Sequence, residues 1–353
     1  MKTLKKLTVN TLTSSVLIAS LFLLSWIPLI AQDFSKTYQG KYDVDKGAIM
    51  VIKSKFGDIK CQAWDENSVS IDVTINVEAS SQERANKVFD KIGVELSGTR
   101  TKVTGVTTID NINNGDFSID YDIRFPRWIT VDLDNQFGDI LLDETDGQAR
   151  INLEYGAMEA VAFNSTLNDV TLKFSDAEVG FMKAGDVNIE YGEWDMEGTE
   201  NLKLYSRFSE INVDKAASLN LDSQYDEITI GEAGEIIAIC RFSELDIEKI
   251  SGDFDFDIEY GEIDVNYIAA SFKTGKLRNT FAGADLTFDP KTSMTVDAEI
   301  EFGEMSYPKA NASMNHEVIG YTTNIYKGKF GTGTASQLTI ISKNSDVSID
   351  FED

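Results

Sequence analysis

The chain has 353 residues and a formal charge of −27, with 59 Asp and Glu against 32 Lys and Arg. So acidic a surface excludes nucleic acid and anionic lipid as partners, because no basic patch survives such a field. With only 2 cysteines the chain is no disulfide scaffold, and roughly 320 residues after the N-terminal segment are ample for a core that holds itself.

Lys2, Lys5 and Lys6, followed by an apolar run from Val16 to Ile30, read as a signal peptide over 1–31 that ends at Ala31. Its removal takes the formal charge to −30. The run is short for a spanning helix and carries Trp26 and Pro28, so an uncleaved anchor is the weaker reading. No cysteine at the junction offers a site for lipid attachment. The mature chain, 32–353, is expected to be a single exported domain, in the periplasm or at the cell surface or beyond it, with no integral membrane segment after signal cleavage.

Residues 32–47 carry few signals and read as a lead-in. Lys55-Phe56-Gly57-Asp58-Ile59 is the first copy of a recurring phrase, and Val69, Ile71 and Val73 then alternate as in a strand. Ser80 with Glu83 three residues on forms a capping box, and Ala85, Val88, Phe89 and Ile92 share a face before Gly93. This is the one predicted helix. With strands around 94–96 and 102–106, in a helix-containing part over about 80–128, it is expected to cover the N-terminal end of a stack, whose open edge would otherwise recruit other chains. Asn111 to Gly115 reads as a polar turn.

From Tyr121 the phrase resumes at Phe137-Gly138-Asp139-Ile140 and then recurs at Tyr155, Phe174, Tyr191, Phe208, Tyr225, Phe242 and Tyr260, at intervals of 19, 17, 17, 17, 17 and 18 residues. Further copies follow at Phe281, Phe302 and Asn344, with a polar segment over 307–333 read as a loop or irregular coil. Such regularity means stacked copies of one unit. Three residues after the aromatic stand Ile211, Ile228 and Leu245; five after, Val213, Ile230 and Ile247; four before, Leu204, Leu221 and Ala238. These form apolar columns that no single copy buries alone. Each coil is then two short strands, with one turn at the phrase and another around 214–217, the aromatic inside and the following acid outside. Cys240 has the inward parity, and Cys61 lies too many coils away to bridge to it, so both are expected as buried free thiols.

The residue before each aromatic sets the register. Reading along, these are Glu154, Lys173, Glu190, Arg207, Gln224, Arg241 and Glu259. One phrase per coil places opposite charges on neighbouring strands, whereas two per coil would stack Arg207 on Arg241, which is destabilising. The coil is therefore expected to hold one phrase in 17 to 21 residues.

The phrase aromatic-Gly-Asp-Ile, the run Tyr121-Asp122-Ile123-Arg124-Phe125-Pro126 leading into 131–140, and the closing Ser342-Lys343-Asn344-Ser345-Asp346-Val347 resemble the bacterial putative-adhesin β-solenoid family. The resemblance implies an all-β, single-chain, right-handed β-solenoid with one short helix near its N-terminal end, exported and without known catalysis. Ser175, Ser209, Asp226, Ser243, Ala282 and Ser345 stand where that phrase has Gly, and they break a uniform positive-φ turn at that position.

Two residues after the aromatic runs an acidic column: Asp58, Asp139, Asp176, Glu193, Glu210, Glu227, Glu244, Glu262, Glu304 and Asp346. Calcium would relieve its repulsion, but the glycine-rich nonapeptide of calcium β-rolls is absent, so carboxylates that cap turn amides are the stronger reading. His316, the single histidine, lies in the polar segment, and no nucleophile elbow, metal-ligand pair or phosphate loop occurs at a meaningful spacing. Tyr205 and Trp64 are candidates for stacking on sugars. The coils from Tyr155 to Tyr260 are too uniform to build a polysaccharide cleft. The sequence therefore assigns no catalytic, cofactor-binding or metal residue. It points to a non-enzymatic adhesive, structural or protein-interaction surface facing a protein or polysaccharide of the cell envelope. The alternatives are a carbohydrate-binding or carbohydrate-cleaving solenoid and a calcium-stabilised surface protein.

Overall fold

A computed structural model describes residues 32–112 and 116–352 of the chain. The signal segment and residues 113–115 of the polar turn at Asn111 to Gly115 lie outside the described residues. The protein is all-β apart from one α-helix and one 3-10 turn, and its strands form a single open sheet system. Its body is a parallel stack. Glu190 pairs with Lys173 on one side and Arg207 on the other, and Arg207 with Gln224, so each repeat of the phrase is one rung. The charge-derived register is the observed one.

Each rung has a leading strand before the aromatic and a trailing strand after it. Inward positions of both are apolar and fully covered: Leu204, Leu221, Ile211, Ile228, Val213 and Ile230 are all 0–1% exposed. The second turn is not a turn in the central rungs. Glu193–Arg207, Glu210–Gln224 and Glu227–Arg241 are continuous strands. At that point the inward side chains are small and buried: Thr199, Ala216 and Ala233. Cys61 and Cys240 are free and buried as expected. Burial pushes both thiols up, Cys240 to about 12.

The phrase itself departs from expectation. Every aromatic from Phe56 to Phe302 has a left-handed backbone, φ 50 to 62°, and Asn344 takes the same conformation in the last copy. This flips the side chain outward. Phe56, Phe137, Tyr155, Phe174, Tyr191, Phe208, Tyr225, Phe242, Tyr260 and Phe281 are 40–51% exposed. They stack in one ladder at centroid spacings of 4.9 to 5.2 Å. A bulky residue in this region is strained, and the stacking of each ring on two neighbours offsets that cost.

Glycine after the aromatic serves close approach rather than a positive φ. A Cβ on Gly192 would lie 1.9 Å from the Ser175 carbonyl oxygen, and one on Gly138 2.1 Å from that of Gly57. Serine fits in alternate rungs because its hydroxyl does work there. Ser175 Oγ donates to the Lys173 carbonyl (2.8 Å) and accepts from the Gly156 amide (3.3 Å); Ser209 repeats the pattern with Arg207 and Gly192. Asp226, also at this position, is buried with its carboxylate accepting from the Ser206 and Ser223 hydroxyls and the Ser209 and Gln224 amides.

Chain order and spatial order differ at both ends. Strand Ile49–Lys55 pairs with Thr130–Gln136 on one side and with Lys102–Ile109 on the other. Residues 65–112 and 116–126 thus build an N-terminal cap beyond the first rung. The supposed lead-in is a 12-residue strand, Gln32–Asp43, antiparallel to Ser68–Ala79. The helix spans Gln82–Phe89 and is capped by Ser81, one residue later than expected, its side chain accepting from the Arg84 amide. Ile92 begins the next strand.

At the other end, strand Ser336–Lys343 inserts between Thr274–Thr280 and Met294–Glu301. The last copy of the phrase therefore precedes Phe302 in the stack, and Asn344 interrupts the rings. The segment expected as a loop is a hairpin, Ala312–Ile319 with Thr323–Phe330, added antiparallel to Met294–Glu301. Tyr326 and Phe330, on its second strand, are buried and meet Tyr307 edge-on.

Candidate functional site

The two outward flanks of the stack share one architecture and differ in charge. Take the rungs whose aromatics run from Phe137 to Phe281. On the leading strands the outward positions, one, three and five residues before the aromatic, carry ten acidic and seven basic residues. On the trailing strands the outward positions, two, four and six residues after it, carry seventeen acidic residues and no basic one. The leading flank neutralises itself. Arg207 pairs with Glu190 (3.9 Å), Arg241 with Asp222 (3.7 Å) and Glu259 (3.8 Å), Lys276 with Asp255 (3.2 Å), and Arg278 bridges Asp255 (2.6 Å) and Asp257 (3.4 Å). Among the described residues the trailing strands carry ion pairs only at their margins: Lys60 with Asp58 (3.7 Å) at the N-terminal end, and Glu232 with Lys215 (3.4 Å) and Lys249 (3.2 Å), all three seven residues after the aromatic.

Unneutralised carboxylates disturb one another. Asp195 beside it, burial, and then Glu210 and Asp176 raise the pKa of Glu193. Burial, followed by Asp246, Asp285 and Glu262, raises that of Asp264. Several short acids of the column also cap amides of the adjacent rung: Asp58 accepts from Asp139 N (3.1 Å), Asp139 from Ala157 N (2.8 Å), Asp176 from Glu193 N (3.0 Å) and Asp346 from Glu304 N (2.9 Å). The turn-capping reading of the column holds for these aspartates. Among the described residues no three His, Cys, Asp or Glu converge as ligands for a metal ion.

The trailing flank also holds a concavity of about 710 Å³ between Lys60 and Asp214. Its presence was not legible in the repeat, because it arises from three departures at outward positions: Leu141, Val161 and Gly180 replace polar side chains.

The aromatics noted for sugars are placed as follows. Tyr205 is exposed on the leading flank. Trp64 is half-buried, its indole N–H donating to the Ser68 carbonyl (2.7 Å) and its ring faced by Lys41 at 5.0 Å. In the ladder each inner ring has both faces covered by its neighbours, leaving only edges to solvent. His316 is exposed on the hairpin strand Ala312–Ile319. Among the described residues no helix is long and apolar enough to cross a membrane.

No family model matches the chain, and no curated protein does. Solved structures similar to it include one described as a putative cell adhesion protein from Clostridium sporogenes (10% identity, TM-score 0.20, covering 90% of this chain and 100% of that one). Two are described as putative adhesins: one from Bacteroides fragilis (11%, 0.28, 90% and 97%) and one from Parabacteroides distasonis (12%, 0.31, 90% and 97%). At these TM-scores the fold rests on the strand register of the chain itself, and the word adhesin belongs to those proteins.

Proposed function

We propose that the chain is an exported, non-enzymatic β-solenoid, right-handed and with coils of 17 to 21 residues, that presents an adhesive or protein-interaction surface to a protein or polysaccharide of the cell envelope. The observation that carries this reading is the one-sided charge. Like charges on neighbouring strands cost stability, and the leading flank has the simple remedy of alternating signs. A face that forgoes the remedy over nine rungs is kept for contact rather than for folding. Lys2, Lys5, Lys6 and the apolar run to Ile30 support export, to the periplasm or the cell surface. The covered ring faces of the ladder speak against sugar stacking, and the amide-capping aspartates against a calcium column.

Fractionation of the native host combined with crosslinking and pull-down tests the reading. The chain is expected in the periplasmic or surface fraction, crosslinked to an envelope component. A cytoplasmic chain would overturn it.

A further inference from the structure

The concavity on the trailing flank has a floor and a rim of different chemistry. Leu141 and Val161 point outward from it, Val161 59% exposed. On the next rung Gly180 removes the side chain altogether, and a Cβ there would sit 2.7 Å from the Val161 carbonyl oxygen. Around this floor stand Glu159, Glu178, Asp195 and Glu197. The groove crosses six rungs, about 24 Å at the spacing of strands in a sheet. That is too long for one ion, and an ion would make no use of an apolar floor. No aromatic side chain lines it for a sugar ring.

We infer that this groove docks a basic segment of a partner protein, its Lys or Arg side chains paired with Glu159, Glu178, Asp195 and Glu197 and an aliphatic residue laid over Leu141 and Val161. The inference rests on the reading of the trailing flank as an interaction surface. Charge complementarity selects the partner: seventeen carboxylates at the outward positions of the trailing strands, with Lys60, Lys215 and Lys249 only at the margins, make the flank attract basic chains from a distance, and the apolar floor retains those that carry an aliphatic residue among their charges.

The test is fluorescence anisotropy of a labelled peptide of alternating Lys and Leu, titrated with the mature chain at physiological salt. Binding is expected, with weaker binding of an alternating Lys–Gly peptide. The pair Glu178→Gln with Glu197→Gln should weaken it about tenfold, whereas Glu227→Gln with Glu244→Gln, the same charge change on the same flank outside the groove, should change it by less than about twofold. All four side chains are exposed, and urea midpoints verify that both variants fold. Equal weakening by the two pairs, indifference to the Leu-to-Gly change, displacement by spermine at equal charge, or no binding at all would overturn the groove. A failed titration with the chain still crosslinked in the envelope removes the groove alone, while a cytoplasmic chain removes the wider reading.

Discussion

Phe208 shows how much work one residue of the ladder does. Its φ of 52° is costly for any residue with a Cβ, and its ring stacks at 5.0 Å on Tyr191 and 4.9 Å on Tyr225. Phe208→Ala keeps the backbone cost and loses both stacks, while Phe208→Gly loses the stacks and relieves the backbone. Glycine should therefore be the milder change, by about 1 kcal/mol in urea unfolding, the reverse of the usual order in a strand. The inward columns were legible in the sequence to the residue. The outward aromatic was not, although a trace of it was present: inward positions lie at even offsets before the aromatic and at odd offsets after it. Alternation can change parity only if one residue leaves the extended conformation, and the left-handed aromatic is that residue. Parity alone does not say which side its ring takes.

Register, at the level of elements, was readable because charge had to alternate along one column. Arg207→Glu would set a second acid directly beside Glu190, and should destabilise by about 0.5 to 1 kcal/mol. Arg84→Glu, in the first turn of helix Gln82–Phe89, should be close to neutral because an acid there faces the helix dipole favourably. Equal effects in thermal unfolding would refute the pairing. The caps were less legible. The strand Gln32–Asp43 and the first hairpin strand Ala312–Ile319 are mostly exposed, so they lack the apolar alternation that marks a rung. The insertion of Ser336–Lys343 between two earlier strands has no local signal, since its phrase reads like any other copy. It is testable: Arg278 and Ile341 are register partners, 63 residues apart in sequence, and Arg278→Cys with Ile341→Cys should crosslink on mild oxidation, because in-register neighbours on parallel strands lie within disulfide reach. Failure to crosslink in the folded chain would contradict the strand order.

Across the whole molecule, the contrast between flanks sets how stability responds to solution conditions. For Glu193 and Asp264 the folded pKa lies above the unfolded one. Between those two values the folded chain binds more protons, so these groups make stability fall as pH rises through that window and recover as pH falls back. Glu66 and Glu232, lowered chiefly by hydrogen bonds from Lys41 and Lys249, act in the opposite sense, and their contribution fades as pH drops below the ordinary carboxylate range. Added NaCl screens the trailing flank most, so the midpoint of thermal unfolding at neutral pH should rise with salt. Calcium chloride at matched ionic strength should do no more; a larger rise with micromolar calcium would favour a specific cation site. The acidity of the chain was plain from composition, but its confinement to one flank emerged only once the turn at the aromatic had sorted the outward positions into two faces.

The most direct test of that asymmetry compares thermal unfolding, at low salt and neutral pH, of two triple variants with the same change in charge. Glu193→Gln, Glu227→Gln and Glu244→Gln on the trailing flank remove repulsion only. Glu190→Gln, Asp222→Asn and Asp255→Asn on the leading flank remove partners of Arg207, Arg241, Lys276 and Arg278. The expected result is a higher midpoint for the trailing variant and a lower one for the leading variant, relative to the unaltered chain. A trailing variant no more stable than the unaltered chain would contradict the claim that this face is maintained at a cost to the fold.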